Sequence, residues 1–267
     1  MSERLRRASC LAVTAALTAC GGSVLRPSTS TDGAAGPSLP EHAPRNGLEV
    51  IGWMRRSHPS RQLKSLSFAV TTTEFKGDSE IVTRARAIAA LPGKLRVVEI
   101  PTSRKSGYVR DRQTFVVFEK GKRVARSSRI DIAQLLAYDL FAQGTDTTIK
   151  WLDDSRMRFG LAQRTELKGK RAWLVGADGD STSTRFWVDG DQWRVLRVLQ
   201  RDPLARNQML DIWFTEFTDV EDVPVPVRIE IFRNGRLEQR LEMTEVEANP
   251  TVPARAFDTS RWRDVRI

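Results

Sequence analysis

The chain has 267 residues, a formal net charge of +10 at pH 7, two cysteines and two histidines. This length suits one large β domain better than two small ones, and so few histidines leave little material for imidazole catalysis. Because the arginines and lysines are scattered along the chain rather than clustered with stacking aromatics, the charge argues against nucleic acid as a partner. Binding to anionic lipid head groups stays open as the alternative explanation of the charge.

The N-terminus predicts export and lipidation. An arginine-rich start at residues 4–7 precedes a short apolar run at 8–19, which is too short to span a bilayer and is typical of a cleaved signal. Leu17-Thr18-Ala19-Cys20 resembles the lipobox of bacterial lipoproteins, whose cysteine is thioether-linked to diacylglycerol and becomes the new N-terminus after cleavage. The alternative is an ordinary secretory signal with a coincidental cysteine. With Cys10 removed and Cys20 acylated, no thiol is left for a disulfide, a metal or catalysis.

Three segments follow from this reading. Residues 1–19 are the signal peptide, and residues 20–46 are an acylated cysteine with a Ser, Gly, Pro and Ala-rich flexible linker. Residues 47–267 form a single domain. Residue Gly21 is not the aspartate associated with inner-membrane retention, so we expect anchoring in the outer membrane facing the periplasm. An inner-membrane anchor stays open.

The domain begins with a predicted helix, after which apolar and polar residues alternate as in β-strands. Leu48 to Ser57 has helical apolar spacing, and His58-Pro59 ends it. Period-2 patterns then predict a meander of short strands separated by turn residues. These strands run over 66–75, 81–91, 95–100, 107–111 and 114–119.

A second helix interrupts the strands. Asp131 can cap its first turn, an apolar stripe runs from Ile132 to Leu140, and Gly144 ends it. Strands then resume, with Asp-Gly, Lys-Gly and Asn-Gly pairs at the expected hairpin turns. They run over 163–167, 172–176, 183–189, 193–200, 209–217, 225–233 and 236–246.

About a dozen antiparallel strands must curl, and such sheets close into a barrel or wrap around a helix. The segment FWVDGDQWRVLRVL at 186–199 fits this arrangement, because it carries apolar residues on both faces of its strand. A helix such as the one at 132–141 would then cover the concave face of the sheet. The predicted fold is mainly β with a few helices.

Catalytic signatures are scarce. Acidic pairs such as Asp178 with Asp180 coincide with predicted turns, where Asp and Gly are expected for backbone reasons. The nucleotide-binding, nucleophile-elbow and zinc-protease motifs do not occur. A hydrolase that uses two carboxylates brought together by folding stays open, because such a pair leaves no local signature. We expect a protein without a cofactor or metal, and no enzyme.

Several short motifs occur along the chain in a characteristic order. They are Leu91-Pro92-Gly93-Lys94-Leu95-Arg96, the strand end Val109-Arg110-Asp111, Phe186-Trp187-Val188-Asp189 and Ala256-Phe257-Asp258. This order resembles that of the LolA/LolB lipoprotein-carrier superfamily, with Arg112 standing where the family has a glycine. The resemblance implies an open half-barrel of about eleven strands, helices in its mouth, and a cavity for acyl chains. Envelope sensors share the scaffold, so it does not by itself imply one role.

The resemblance therefore predicts a lipid-anchored protein that binds lipid or lipoprotein acyl chains, with an envelope sensor or adaptor that binds a protein partner as the alternative. Strand alternation nominates cavity-lining residues on the sheet, and the helix supplies a displaceable lid. The lining residues are Phe68, Val70, Trp187, Trp193, Val195 and Trp213, and the lid residues are Leu136 and Leu140. The alternative is that all eight fill a closed core, since both roles have the same sequence signature.

Overall fold

The computed structural model describes residues 43–58, 63–155, 157–176, 183–202 and 208–264. The predicted signal peptide, the lipidation site Cys20 and nearly all of the linker lie outside these residues. In the described ranges, the helices are too short or too polar to cross a bilayer.

Thirteen strands, three longer helical segments and three short 3₁₀ helices (Thr102–Arg104, Ala254–Phe257 and Thr259–Arg261) make up the regular structure of the described residues. The strands are β1 (Ser65–Lys76), β2 (Ser79–Ala90), β3 (Lys94–Ile100), β4 (Gly107–Asp111), β5 (Thr114–Glu119), β6 (Lys122–Ser128), β7 (Ala162–Leu167), β8 (Lys170–Gly176), β9 (Arg185–Asp189), β10 (Val195–Arg201), β11 (Met209–Val220), β12 (Val223–Arg233) and β13 (Arg236–Ala248). The longer helical segments are α1 (Gly47–Ser57), α2 (Ile132–Gln134, Leu135–Asp139 and Leu140–Ala142 in succession) and α3 (Thr145–Asp154).

All thirteen strands belong to one antiparallel sheet in the order β6-β5-β4-β3-β2-β1-β13-β12-β11-β10-β9-β8-β7. Within the described ranges β6 and β7 are the two edges and do not pair with each other, so the sheet is not closed. The fold is the predicted open half-barrel of a mainly β protein with a few helices. The strand count is thirteen rather than about eleven.

Strand β6 is the one that the sequence pattern does not predict. Its residues are mostly polar or charged, and Ala125 is the only one of them that is buried. As an edge strand it pairs on one side with β5 and needs no apolar alternation to do so. The hydrophobic period that marks the other strands is therefore missing here.

Helix α2 begins where the sequence predicts. The Asp131 side chain accepts a hydrogen bond from the backbone N–H of Gln134, which caps the first turn. The middle of the segment, Leu135–Asp139, is wound as a π-helix, and the segment ends at Ala142. Gly144 then precedes the first residue of α3, so this glycine separates two helices.

The strand order explains why helices cover the concave face. Strands β6 and β7 are consecutive in the chain but lie at opposite edges of the sheet. The connection at 129–161 must therefore cross the sheet, and it carries α2 and α3. Helix α2 contacts β10 and β12, and the Arg55 Nη1 of α1 donates to the carbonyl of Leu140 at 2.7 Å. These helices and the concave side chains form the main core.

A smaller core lies on the convex face of β3–β5, where the C-terminal segment at 254–264 packs. Its centre is Arg96, which is 1% exposed and donates to the carbonyls of Ala256 at 2.8 Å and Trp262 at 2.7 Å. The Trp262 ring lies between the Arg96 guanidinium, at 4.3 Å, and the ring of Phe118, at 4.4 Å. Burial lowers the pKa of Arg96 to about 10.

Candidate functional site

The concave face holds a cavity of about 320 Å³ between the sheet and α2. Its wall comes from β1–β5 on one side and β11–β13 on the other, and α2 contributes Ala133, Gln134 and Tyr138. Most of the lining is aliphatic or aromatic. The large apolar side chains include Leu66, Phe68, Val70, Leu95, Phe214 and Leu241.

Strand β1 shows how the sequence builds this wall. Leu66, Phe68, Val70, Thr72 and Glu74 are spaced by two residues and all line the cavity. The series changes from apolar to polar along the strand. The cavity is consequently hydrophobic at the Leu66 end and polar at the Glu74 end.

The polar end is held by a charged network. Arg233 pairs with Asp202 and Glu238, each at 2.7 Å, and Lys76 lies 3.2 Å from Glu74. Burial raises the pKa of Glu74, although Lys76 opposes that shift. The Arg233 pKa is raised because the hydrogen bonds and charges of its two carboxylate partners outweigh its burial. These charges are paired within the protein at the polar end of the cavity.

A second charged pair lies where α2 begins. Arg110 of β4 contacts Asp131 at 2.7 Å between Nη2 and Oδ2. Asp131 also accepts from the Gln200 amide at 3.0 Å, and Gln200 accepts from the backbone N–H of Ala133 at 3.1 Å. The first turn of α2 is thereby connected to both β4 and β10.

Asp139 joins α2 to the β2–β3 turn. Its Oδ1 accepts a hydrogen bond from the backbone N–H of Gly93 at 2.8 Å, and the residue is 3% exposed. Burial raises the pKa of Asp139 to about 7, against the opposing effects of the Gly93 hydrogen bond and the Arg110 charge. No group of three or more His, Cys, Asp or Glu side chains with metal-site geometry occurs in the described ranges.

The raised pKa of Asp139 predicts a pH-dependent stability. The folded state keeps this proton up to about pH 7, whereas the unfolded state loses it near 3.8. Because the folded state binds more protons between these values, this contribution is present at low pH and is lost as the pH rises to 7, by roughly 1.4 kcal/mol per pKa unit. Urea unfolding from pH 4 to 7.5 should show a flatter profile for Asp139→Asn, and the same profile as the unmodified chain for exposed Asp146→Asn. Parallel profiles for Asp139→Asn and the unmodified chain would contradict the assignment.

The structure places the nominated sheet residues in three different environments, which are the cavity wall, the main core outside that wall, and the convex face of the sheet. Phe68 and Val70 line the cavity. Trp193 and Val195 belong to the main core outside the cavity wall, and Trp193 packs on Trp53 with ring centroids 5.8 Å apart.

The two lid residues are also outside the cavity wall. Leu136 and Leu140 are both 0% exposed within the main core. The α2 side chains that line the cavity are two or three positions away from the nearer of them, at Ala133, Gln134 and Tyr138. Whether α2 can be displaced stays a prediction.

Trp187 and Trp213 lie on the opposite, convex face of the sheet, so their nomination as lining residues is corrected. The Arg197 guanidinium sits between their rings, at 4.5 Å and 4.6 Å. The concave positions of these strands are the adjacent ones, such as Phe186 and Phe214. Where both faces of a strand are apolar, alternation does not tell which face is inside, and a one-residue error reverses it.

A β-bulge accounts for the doubly apolar pattern at 186–199. Val195 pairs with Val188, but Arg197 pairs with Trp187, so the phase shifts between the two pairs. Val195 and Val198 both reach the main core. On the convex side Leu199 joins Trp187 and Leu174 in a small separate cluster.

The sequence reasoning missed several lining residues. Leu66 could have been predicted from the sequence, since it lies two residues before Phe68 and therefore shares a face of the strand with Phe68 and Val70. Tyr108 and Arg110 share the phase of β4 that faces the cavity. A charged residue at that position is not distinguishable by pattern from a solvent-facing one.

Comparisons with known proteins identify the fold. Neither the protein-family models nor the curated proteins contain a match to the chain. Among solved structures, it is similar to a putative outer membrane lipoprotein-sorting protein domain from Vibrio parahaemolyticus, with 11% identity, TM-score 0.57, and 81% of this chain and 98% of that chain covered. It is also similar to a DUF1329 family protein from Desulfovibrio piger, with 12% identity, TM-score 0.54, and coverages of 81% and 97%. The resemblance to the lipoprotein-carrier superfamily is thus confirmed at the level of fold.

Proposed function

We propose that this protein is a periplasm-facing bacterial lipoprotein that binds lipid or lipoprotein acyl chains in its half-barrel cavity, without catalysing a reaction. The observation that carries the proposal is the cavity of about 320 Å³ with a predominantly apolar wall. Small-molecule sites in proteins begin at about this size and have mostly hydrophobic linings.

The chemistry of the wall favours acyl chains. Each methylene removed from water contributes about 0.8 kcal/mol, so a chain lying along Leu66, Phe68 and Val70 can bind without polar contacts over most of its length. The fold is shared with a domain described as lipoprotein-sorting, which supports the same class of ligand. Lipoprotein sorting or envelope maintenance would be the corresponding role.

The anchor is the second part of the proposal. Acylation of Cys20 would tether the domain through the linker at 21–46 to the periplasmic face of the outer membrane. Removing the thiol by Cys20→Ala should abolish incorporation of a fatty-acid probe and release the chain from the membrane fraction. Unchanged labelling would contradict lipidation.

The Cys20→Ala chain also provides the test of the cavity. Native mass spectrometry of this chain, purified from the envelope without detergent, should show co-purified lipid. A second substitution, Ala85→Phe, adds a ring at a lining position and should remove the lipid. The matched control is Ala69→Phe, which adds the same ring on the neighbouring strand and on the convex face.

Other outcomes would identify a different role. A protein partner that co-purifies in stoichiometric amount with an empty cavity would favour the sensor or adaptor. Lipid that persists in a folded Ala85→Phe variant would place the binding site elsewhere.

A further inference from the structure

Arg110 is an unusual residue for the wall of an apolar cavity. It lies on β4, between Leu95 of β3 and Phe115 of β5 in the strand register, and all three side chains line the cavity. The residue is 6% exposed. Its guanidinium therefore places a buried cation in the cavity wall.

Only part of the guanidinium is satisfied by the protein. Nη2 pairs with Asp131 at 2.7 Å, and the group lies 4.9 Å from the centre of the Phe115 ring. The Nε and Nη1 atoms have no hydrogen-bond acceptor in the described ranges. A buried donor without an acceptor is destabilising, and native proteins contain few of them.

Two other polar groups of the cavity wall are already bound within the protein. The Tyr138 hydroxyl is directed at the carbonyl of Pro226 and the sulfur of Met243, at 3.5 Å and 3.6 Å. Arg233, at the polar end, is held by two carboxylates. Arg110 therefore lies in the apolar wall and has N–H groups, on Nε and Nη1, whose hydrogen bonds no described group accepts.

The charge balance indicates what kind of acceptor fits. Asp131 already neutralises Arg110, and the Asp139 carboxyl is a further acidic group close enough to interact with the guanidinium. A ligand carboxylate or phosphate would add a negative charge with no cation left to balance it. A neutral carbonyl oxygen would satisfy the donors without that cost.

We propose that Arg110 donates hydrogen bonds from Nε and Nη1 to the ester carbonyl oxygen of an acyl ligand, whose hydrocarbon chain occupies the apolar part of the cavity. This inference rests on the proposed function and names the ligand class as acyl esters. It also fixes the direction of the ligand, because the ester group lies beside the first turn of α2.

The test compares two probes that differ by one oxygen atom. Monopalmitoylglycerol carries the ester carbonyl, and 1-O-hexadecylglycerol has an ether with the same chain length and head group. Calorimetry on the full chain carrying Cys20→Ala, which lacks its own acyl groups, should show that the ester binds about tenfold more tightly. A tenfold difference corresponds to about 1.4 kcal/mol, which is the lower end of the range for hydrogen bonds to a charged group.

Arg110→Met should lower the affinity for the ester about tenfold and leave the affinity for the ether unchanged. The double variant Arg110→Met/Asp131→Asn removes both charges and should show the same loss, which keeps the test valid if the unpaired aspartate destabilises the single variant. Arg126→Met, an exposed arginine on β6, is the matched control and should keep the ester preference.

Four outcomes would overturn the assignment. An ester preference that survives in Arg110→Met would show that another group binds the carbonyl. Palmitate that binds more tightly than the ester, and depends on Arg110, would show that the acceptor is anionic. Failure of every probe to bind the unmodified cavity would refute the proposed function itself, whereas equal binding of ester and ether would refute only the role of Arg110.

Discussion

Leu136→Glu is expected to unfold the domain. Leu136 is 0% exposed, at the centre of α2 and within the main core, and it does not face the cavity. A glutamate there would bury a charge among the apolar side chains of the main core, at a cost of several kcal/mol. Since small domains are stable by only about 5–15 kcal/mol, the variant should lose its near-ultraviolet circular dichroism and its cooperative thermal transition.

Leu161→Glu is the matched control, because Leu161 is 54% exposed and the added carboxylate stays in water. Its melting temperature should remain close to that of the unmodified chain. A folded Leu136→Glu protein that no longer retains lipid would instead show that α2 moves away from the sheet as a displaceable lid. A folded variant with undiminished lipid binding would contradict both interpretations.

Arg96→Met is expected to detach the C-terminal segment at 254–264 from the sheet. The substitution removes two hydrogen bonds from a charged donor, each contributing about 1.5–3 kcal/mol, and the stacking on Trp262. It also leaves the carbonyls of Ala256 and Trp262 without these donors. The free energy of unfolding should fall by roughly 3 kcal/mol or more.

Hydrogen exchange distinguishes local detachment from global unfolding. Amides of 254–264 should exchange much faster in Arg96→Met, while those of β11–β13 keep most of their protection. Arg126→Met again serves as the control, because Arg126 is an exposed arginine on the edge strand β6. Unchanged protection of the C-terminal segment would show that the apolar contacts of Trp262 and Phe257 hold it without Arg96.

Arg96 also shows where a sequence pattern misleads. It follows Leu95 in an ordinary alternation of β3, where a charged residue between apolar neighbours predicts a solvent-facing position. The C-terminal segment, about 160 residues later in the chain, covers that position and supplies the acceptors. A contact between such distant segments leaves no trace in the local pattern.

Local signals were sufficient for most elements of the fold. The cap at Asp131, the helix predicted over 48–57, and the Lys168-Gly169 and Asn234-Gly235 turns are confirmed, with positive φ at all four turn residues. Each depends on interactions within a few residues, so the sequence around it is enough to determine it. Strand β6 is missing from the prediction because an exposed edge strand needs no hydrophobic period.

The tertiary structure decided which residues form the cavity. Alternation by itself determined that Phe68 and Val70 share a face, and that face is the concave one. For Trp187 and Trp213 the adjacent positions are equally apolar, so only the curvature of the sheet and the crossing of α2 selected Phe186 and Phe214 for the inside. The same crossing brought Asp131 to Arg110 and enclosed a cation in an apolar wall. The pairing of distant strands, rather than any local preference, determines which side chains each face of the sheet contacts.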